Sequence, residues 1–324
     1  MKNILKDLWL SFASVCLLTA IFSSCAYGQR DTERKPAHRE VAITFDDLPS
    51  THSAPETMRY VTDHLLRRIK AHGIPAIGFV NENKLYANNR LDAGRVGLLR
   101  QWLAAGLELG NHTFSHISID QSPLAAYKEN VIRGEIVTKQ LLNERGMKLR
   151  YFRHTQLRTG PTPEYKKDLD RFLGERGYII APVTIDNNEY IFADIYSRAR
   201  QRGDKAMMKR VVDAYLTYME EVFTHFAKLS ADFLGYEVKQ TLLLHANELN
   251  ADALDELVAM MRRKGYRFIS LAEALTDPAY RLPDAQVTKG LSWLHRWMLA
   301  KGEKLQPEPL EPEFITQLFR TYQR

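Results

Sequence analysis

Six or seven short apolar runs alternate with longer amphipathic stretches along this chain, and that alternation limits its fold more than any other feature. The runs are VAITF (41–45), AIGFV (76–80), LELGN (107–111), YF (151–152), YIIAPVTID (178–186), TLLLH (241–245) and YRFISL (266–271). Helical periodicity fills the gaps at about 55–71, 91–105, 124–145, 163–177, 189–234 (broken near Gly203) and on to Lys264. Short β-branched runs separated by amphipathic helices predict β/α units around a parallel sheet or barrel. With this many strands before residue 272, one barrel-like domain is favoured over two smaller ones.

In parallel α/β folds the loops after the strands open on one face, so chemistry collects at strand C-termini. Asp46 and Asp47 follow VAITF, Asn111 and His112 follow LELG, and Arg153 and His154 follow YF. Asp186 ends the YIIAPVTI run and His245 ends TLLL. Singly, each has a bland explanation: an Asp pair caps turns, an arginine pairs with a carboxylate, a histidine after an apolar run is buried and hydrogen-bonded. Together they deliver ionisable groups to one rim.

The combination has a chemical logic. His112 and His116 are four residues apart, and on a helix that spacing puts both rings on one face. One carboxylate would complete a three-ligand set and leave positions open, as in catalytic zinc sites. Such an ion lowers the pKa of water and polarises a carbonyl. A second carboxylate can then serve as base and a histidine as acid. Asp46, Asp47, His112, His116 and His245 supply each part once.

TFDD (44–47), HTFSH (112–116), an arginine after an aromatic pair (151–153) and LLH (243–245) resemble, in the same order, the motifs of polysaccharide deacetylases with the NodB-homology domain (carbohydrate esterase family 4). The likeness spans roughly 40–275. It implies a distorted (β/α) barrel and a hydrolase that removes an N- or O-linked acetyl group from a carbohydrate with metal-activated water. By position, Asp46 would be the general base and His245 the general acid. Asp47, His112 and His116 would bind a divalent metal, usually zinc in this family. Arg153 would hold Asp46, and Asp186 would support the catalytic histidine or Arg153.

Two motifs depart from the family pattern. RHTQLRTG follows where a proline-rich segment is usual, and DNNEY stands where Asp-Trp is usual, with Glu189 and Tyr190 in those places. These segments wall the groove, so the metal centre looks intact while the substrate pocket is altered. The charged insertion of about 189–235 falls between the fourth and fifth motifs and could roof the groove. For His52 and His154 a structural role is the better reading. Alternative functions are hydrolysis of a small amide or other acyl group at the same centre, and, in another class, non-catalytic glycan binding in the cell envelope.

Residues 1–28 read as a leader, with Lys2 and Lys6 ahead of LWLSFASVCLLTAIF and a small-residue processing site. Cleavage after Gly28 gives an exported protein, periplasmic or secreted; FSSC resembles a lipoprotein box and would instead anchor it through acylated Cys25. A linker (29–39), the catalytic domain (40–275) and a helical C-terminal extension (276–324), read as packing over the barrel's outside, would follow. Both cysteines lie in the leader, which excludes a disulfide and a catalytic thiol from the rest. Losing Lys2, Lys6 and Asp7 changes the net charge of +6 to about +5. That charge forms no basic stripe with interleaved aromatics, so nucleic acid is not an expected partner; an acetylated glycan is.

Overall fold

The computed structural model describes residues 39–323, so the leader and nearly all of the linker lie outside the described residues. Strands β1 (Arg39–Leu48), β2 (Ile77–Val80), β3 (Tyr86–Ala87), β4 (Arg90–Leu91) and β5 (Glu108–Asn111) belong to the first half. Strands β6 (Tyr151–Phe152), β7 (Ile179–Ile180), β8 (Gln240–His245) and β9 (Tyr266–Phe268) follow. Helices α1 (Pro55–His72), α2 (Ala93–Ala104), α3 (Leu124–Arg133), α4 (Ile136–Asn143) and α5 (Pro163–Glu175) connect the early strands. Helices α6 (Glu189–Gln201) and α7 (Lys205–Leu234) form the insertion, and α8 (Glu248–Arg263) and α9 (Leu271–Ala274) flank β9. The tail carries α10 (Trp293–Ala300) and α11 (Glu313–Tyr322). No helix among the described residues is long and apolar enough to cross a membrane.

The main sheet is parallel, in the order β7-β6-β5-β2-β1-β8, with β9 pairing the start of β1. It curls into a distorted barrel because one segment bonds to both of its outer strands. Ile179 and Ile180 pair with β6, and five residues later Ile185 bridges to Leu242 of β8. Between these contacts, Pro182 has no N–H to donate, and the Val183 carbonyl accepts the N–H of Trp293 from the tail at 2.7 Å. The apolar run 178–186, read as one strand, is therefore two short ones joined by a seam.

Helices α1, α2 and α6–α8 pack their apolar faces on the sheet, and Trp293, Leu294 and Trp297 of α10 lie in the same core. The 124–145 stretch, continuous in its periodicity, is two helices broken at Gly134 and Glu135. Gly134 at the break lies against another segment: a Cβ there would overlap the backbone of Thr113 and Phe114.

Candidate metal centre

Strand β1 runs past VAITF to Leu48, and its alternation places Thr44 and Asp46 inside the barrel. Asp47 breaks that alternation. Its φ is 68°, and three steps along β1, from Phe45 to Leu48, match two along β2, from Gly78 to Val80. Such a bulge re-aims a side chain, so two consecutive carboxylates line one cavity of about 420 Å³. His245 is the register partner of Asp46 on β8 and lines it too.

His112 and His116 reach the same cavity from the end of β5, but not on a helix. The HTFSH segment is a loop in which Thr113 (φ 68°) and His116 (φ 52°) are left-handed. The Asn111 side-chain oxygen accepts the Thr113 N–H at 2.7 Å, and the Thr113 hydroxyl accepts the His116 N–H at 3.0 Å. Asn130 of α3 accepts the N–H groups of Phe114 through its carbonyl and of Ser115 through its side chain, each at 2.9 Å. The rings meet with centroids 4.9 Å apart. The two rings are therefore brought together by a loop and not by the helical i, i+4 geometry that their spacing would also allow. Because Gly134 abuts this loop, Gly134→Ala is expected to lower stability by about 1–3 kcal/mol through overpacking and to weaken metal binding. A denaturant melt beside a metal titration checks this, and unchanged values in both would mean that α3 can shift aside.

Asp47, His112 and His116 each offer a ligand atom, all within 4.8 Å of one another. Other features of the site fit a divalent ion. The Asp47 Oδ1 atom is buried without a hydrogen-bond partner. His112 Nδ1 faces the Arg153 carbonyl at 2.9 Å; a carbonyl only accepts, so Nδ1 carries the proton and Nε2 is bare for a metal. Burial pushes both imidazoles down to about 4, the neutral form that ligates. Burial opposes the charge on Asp47, but Lys84, 3.5 Å away, and His116 outweigh it and hold the carboxyl well below its usual range.

Asp46 is 3% exposed, and burial pushes its carboxyl up against the pull of Arg153 and His245. Its Oδ2 lies 3.6 Å from His112 Nε2 and 3.9 Å from Arg153 Nη1. Arg153, fully buried, also donates to the Thr44 hydroxyl at 2.9 Å and stacks over Phe79.

The carboxylate at His245 Nδ1 is Glu189, at 2.8 Å, not Asp186. Glu189 is the first residue of α6, is fully buried, and accepts a further hydrogen bond from Asn247. Burial lowers the His245 pKa, but the Glu189 hydrogen bond and charge, with Asp47 and Asp46 beyond, raise it to about 9. Asp186 lines the cavity with its carboxylate turned to the Asn187 N–H at 2.8 Å. Burial, and then Glu308, push it up to about 7. Among the described residues it makes no hydrogen bond to His245 or Arg153.

Two neighbours of the site escaped the sequence reading, Lys84 at Asp47 and Gln156, 3.1 Å from His116 Nδ1; Glu189 was placed in the fourth motif but not at His245. Glu189 had a signal in DNNEY; the other two had none. His52 and His154 do not line this cavity. His52 meets Ser197 at 3.2 Å, and His154 packs between Phe152 and Trp293.

Residues 33–171 match the polysaccharide deacetylase family model. That span includes Asp46 to Arg153 and stops short of Asp186, Glu189 and His245. Among solved structures, a CE4 family pseudoenzyme from Bacillus anthracis is 14% identical, with 74% of this chain and 66% of that one covered and a TM-score of 0.47. A peptidoglycan deacetylase from Bacillus subtilis is 17% identical over 74% and 92% of the two chains, with a TM-score of 0.45. A family 4 acetyl xylan esterase from Clostridium thermocellum, in complex with a cobalt ion, is 18% identical over 74% and 91%, with a TM-score of 0.47. These are distant likenesses, and the fold assignment rests on the strand order itself.

Proposed function

We infer, from a chain that carries a polysaccharide deacetylase domain over residues 33–171, that it is a metal-dependent hydrolase removing an N- or O-linked acetyl group from a carbohydrate. The observation that carries this reading is the company the three-ligand set keeps. One cavity is lined by Asp47, His112 and His116 and also by a second carboxyl, Asp46, and by His245, whose Nδ1 meets the Glu189 carboxylate at 2.8 Å. A protein that only stores a metal or holds a glycan needs neither.

Asp47, His112 and His116 would hold the ion, which when bound supplies a Lewis acid that lowers the pKa of water and polarises the acyl oxygen. Asp46 takes the proton of the attacking water. Arg153 and Thr44 fix the side of the barrel against which that carboxylate rests. His245, protonated below about 9, gives its proton to the departing sugar nitrogen or oxygen. Glu189 keeps the ring charged and turned with Nε2 away from α6. Tyr190, half exposed on the cavity lip, offers an aromatic face to a sugar ring. Export to the cell envelope, through the leader or an acylated Cys25, accords with a glycan substrate.

The test is acetate release by the purified protein from N- and O-acetylated glycans, with added zinc and with chelator. Chelator-sensitive acetate is expected from at least one glycan, and its identity assigns the bond cut. Bound metal with no acetate from any glycan would favour the small-amide or other-acyl hydrolase. No bound metal and no acetate would refute the enzyme.

A further inference from the structure

The two metal-binding histidines are held differently at Nδ1. His112 leans on a main-chain carbonyl, that of Arg153. His116, partly exposed, meets the NH₂ (Nε2) end of the exposed Gln156 side-chain amide there, at 3.1 Å. Gln156 can make this contact because of an unusual backbone: Gln156 (φ 50°) and Leu157 (φ 52°) are both left-handed, a conformation that non-glycine residues seldom adopt in succession.

The tail holds that turn. Arg296 of α10 is fully buried. Its guanidinium donates to the Leu157 carbonyl, to the Thr159 hydroxyl at 3.1 Å and to the Ala285 carbonyl at 3.2 Å. Gly290 also presses on the turn, where a Cβ would overlap the Gln156 carbonyl oxygen. Both Gly290 and Gln156 line the cavity.

We propose that Gln156 is a positioning residue for the metal: its amide holds the His116 ring at Nδ1 so that Nε2 faces the ion, and the C-terminal segment fixes it there through Arg296 and Gly290. An amide suits this task in both states of the site. Its oxygen accepts from an Nδ1–H when Nε2 ligates, and turned over, its NH₂ donates to Nδ1 when Nε2 is protonated. Partners of this kind at a ligating imidazole are worth roughly 10–100-fold in metal affinity.

The inference rests on the metal-site reading above but not on turnover, so the test is a Co²⁺ titration of the purified full chain, followed by visible absorption and competition with Zn²⁺. Gln156→Leu keeps the shape and removes the acceptor; it is expected to bind roughly tenfold more weakly, with an altered cobalt spectrum and an unchanged thermal melt. Gln156→Glu, which only accepts, is expected to bind at least as tightly as wild type. Gly290→Ala, which displaces the turn, is expected to weaken binding as Gln156→Leu does. Wild-type affinity and spectrum in Gln156→Leu would overturn the proposal, as would Gln156→Glu binding as weakly as Gln156→Leu. If Gln156 only touches the sugar, its variants change KM and leave the titration alone. A wild-type chain that takes up no cobalt would overturn both this inference and the metal site.

Discussion

Asp46→Asn is expected to lower kcat/KM for the acetylated substrate by roughly 10²–10⁴-fold, the range for losing a positioned general base, while the metal dissociation constant stays nearly unchanged. That loss corresponds to about 2.7–5.5 kcal/mol of barrier. The substitution is isosteric and leaves Asp47, His112 and His116 in place. Its one structural hazard is Arg153, fully buried, which would keep only the Thr44 hydroxyl and the Phe79 face. Removing one member of a buried pair costs about 3–5 kcal/mol when the groups are in contact. Here Nη1 and Oδ2 are 3.9 Å apart, so the penalty should fall at or below the lower figure. A thermal melt and a zinc titration run beside the kinetics separate these effects. A folded, metal-loaded variant that still turns over at the wild-type rate would mean that the base lies elsewhere.

Glu189→Gln should move the alkaline limb of the pH–rate profile to lower pH. The sign follows from the balance at His245. Burial disfavours the imidazolium, and the Glu189 hydrogen bond and charge are the largest influences opposing it, giving a value of about 9. Glutamine can still accept the Nδ1–H but carries no charge. With the carboxylate gone, burial is opposed chiefly by Asp47 and Asp46, and the pKa falls. The proton donor is then lost at a pH where the wild type retains it. At mildly alkaline pH the rate should drop by on the order of 10²-fold, and much of it should return as the pH is lowered past the shifted limb, until the acid limb set by Asp46 is reached. A uniform loss with an unmoved limb would show that Glu189 orients the ring without setting its charge.

The candidate metal ligands were legible because each terminates or follows an apolar run, and parallel β/α topology sends such positions to one face. Their local geometry was not. HTFSH looks helical by spacing, yet its loop depends on N–H groups donating to Asn130, fourteen residues beyond His116, and on the space beside Gly134. Asp186 and Glu189 are three residues apart, and which one meets His245 is decided by where α6 begins. Neither Lys84 nor Gln156 belongs to a pattern; Lys84 reaches the centre from the short turn Glu82–Leu85, and Gln156 through a left-handed backbone that composition and periodicity do not encode. The barrel was readable from its alternation, but not the break within 178–186, because YIIAPVTID carries the same apolar signal whether it pairs with one strand or two.

That seam has a consequence for how the chain is assembled. A ribosome delivers residues in order, and the segment that closes the ring emerges before either of its later partners. When β7 has paired with β6, the stretch reaching Ile185 still waits for Leu242, and the Val183 carbonyl waits longer, for Trp293. Until then the nascent sheet has two open rims, the kind of edge onto which another chain can add a strand. The ring can close once Leu242 has emerged, and Trp293, which follows later in the chain, works as a clasp on the seam.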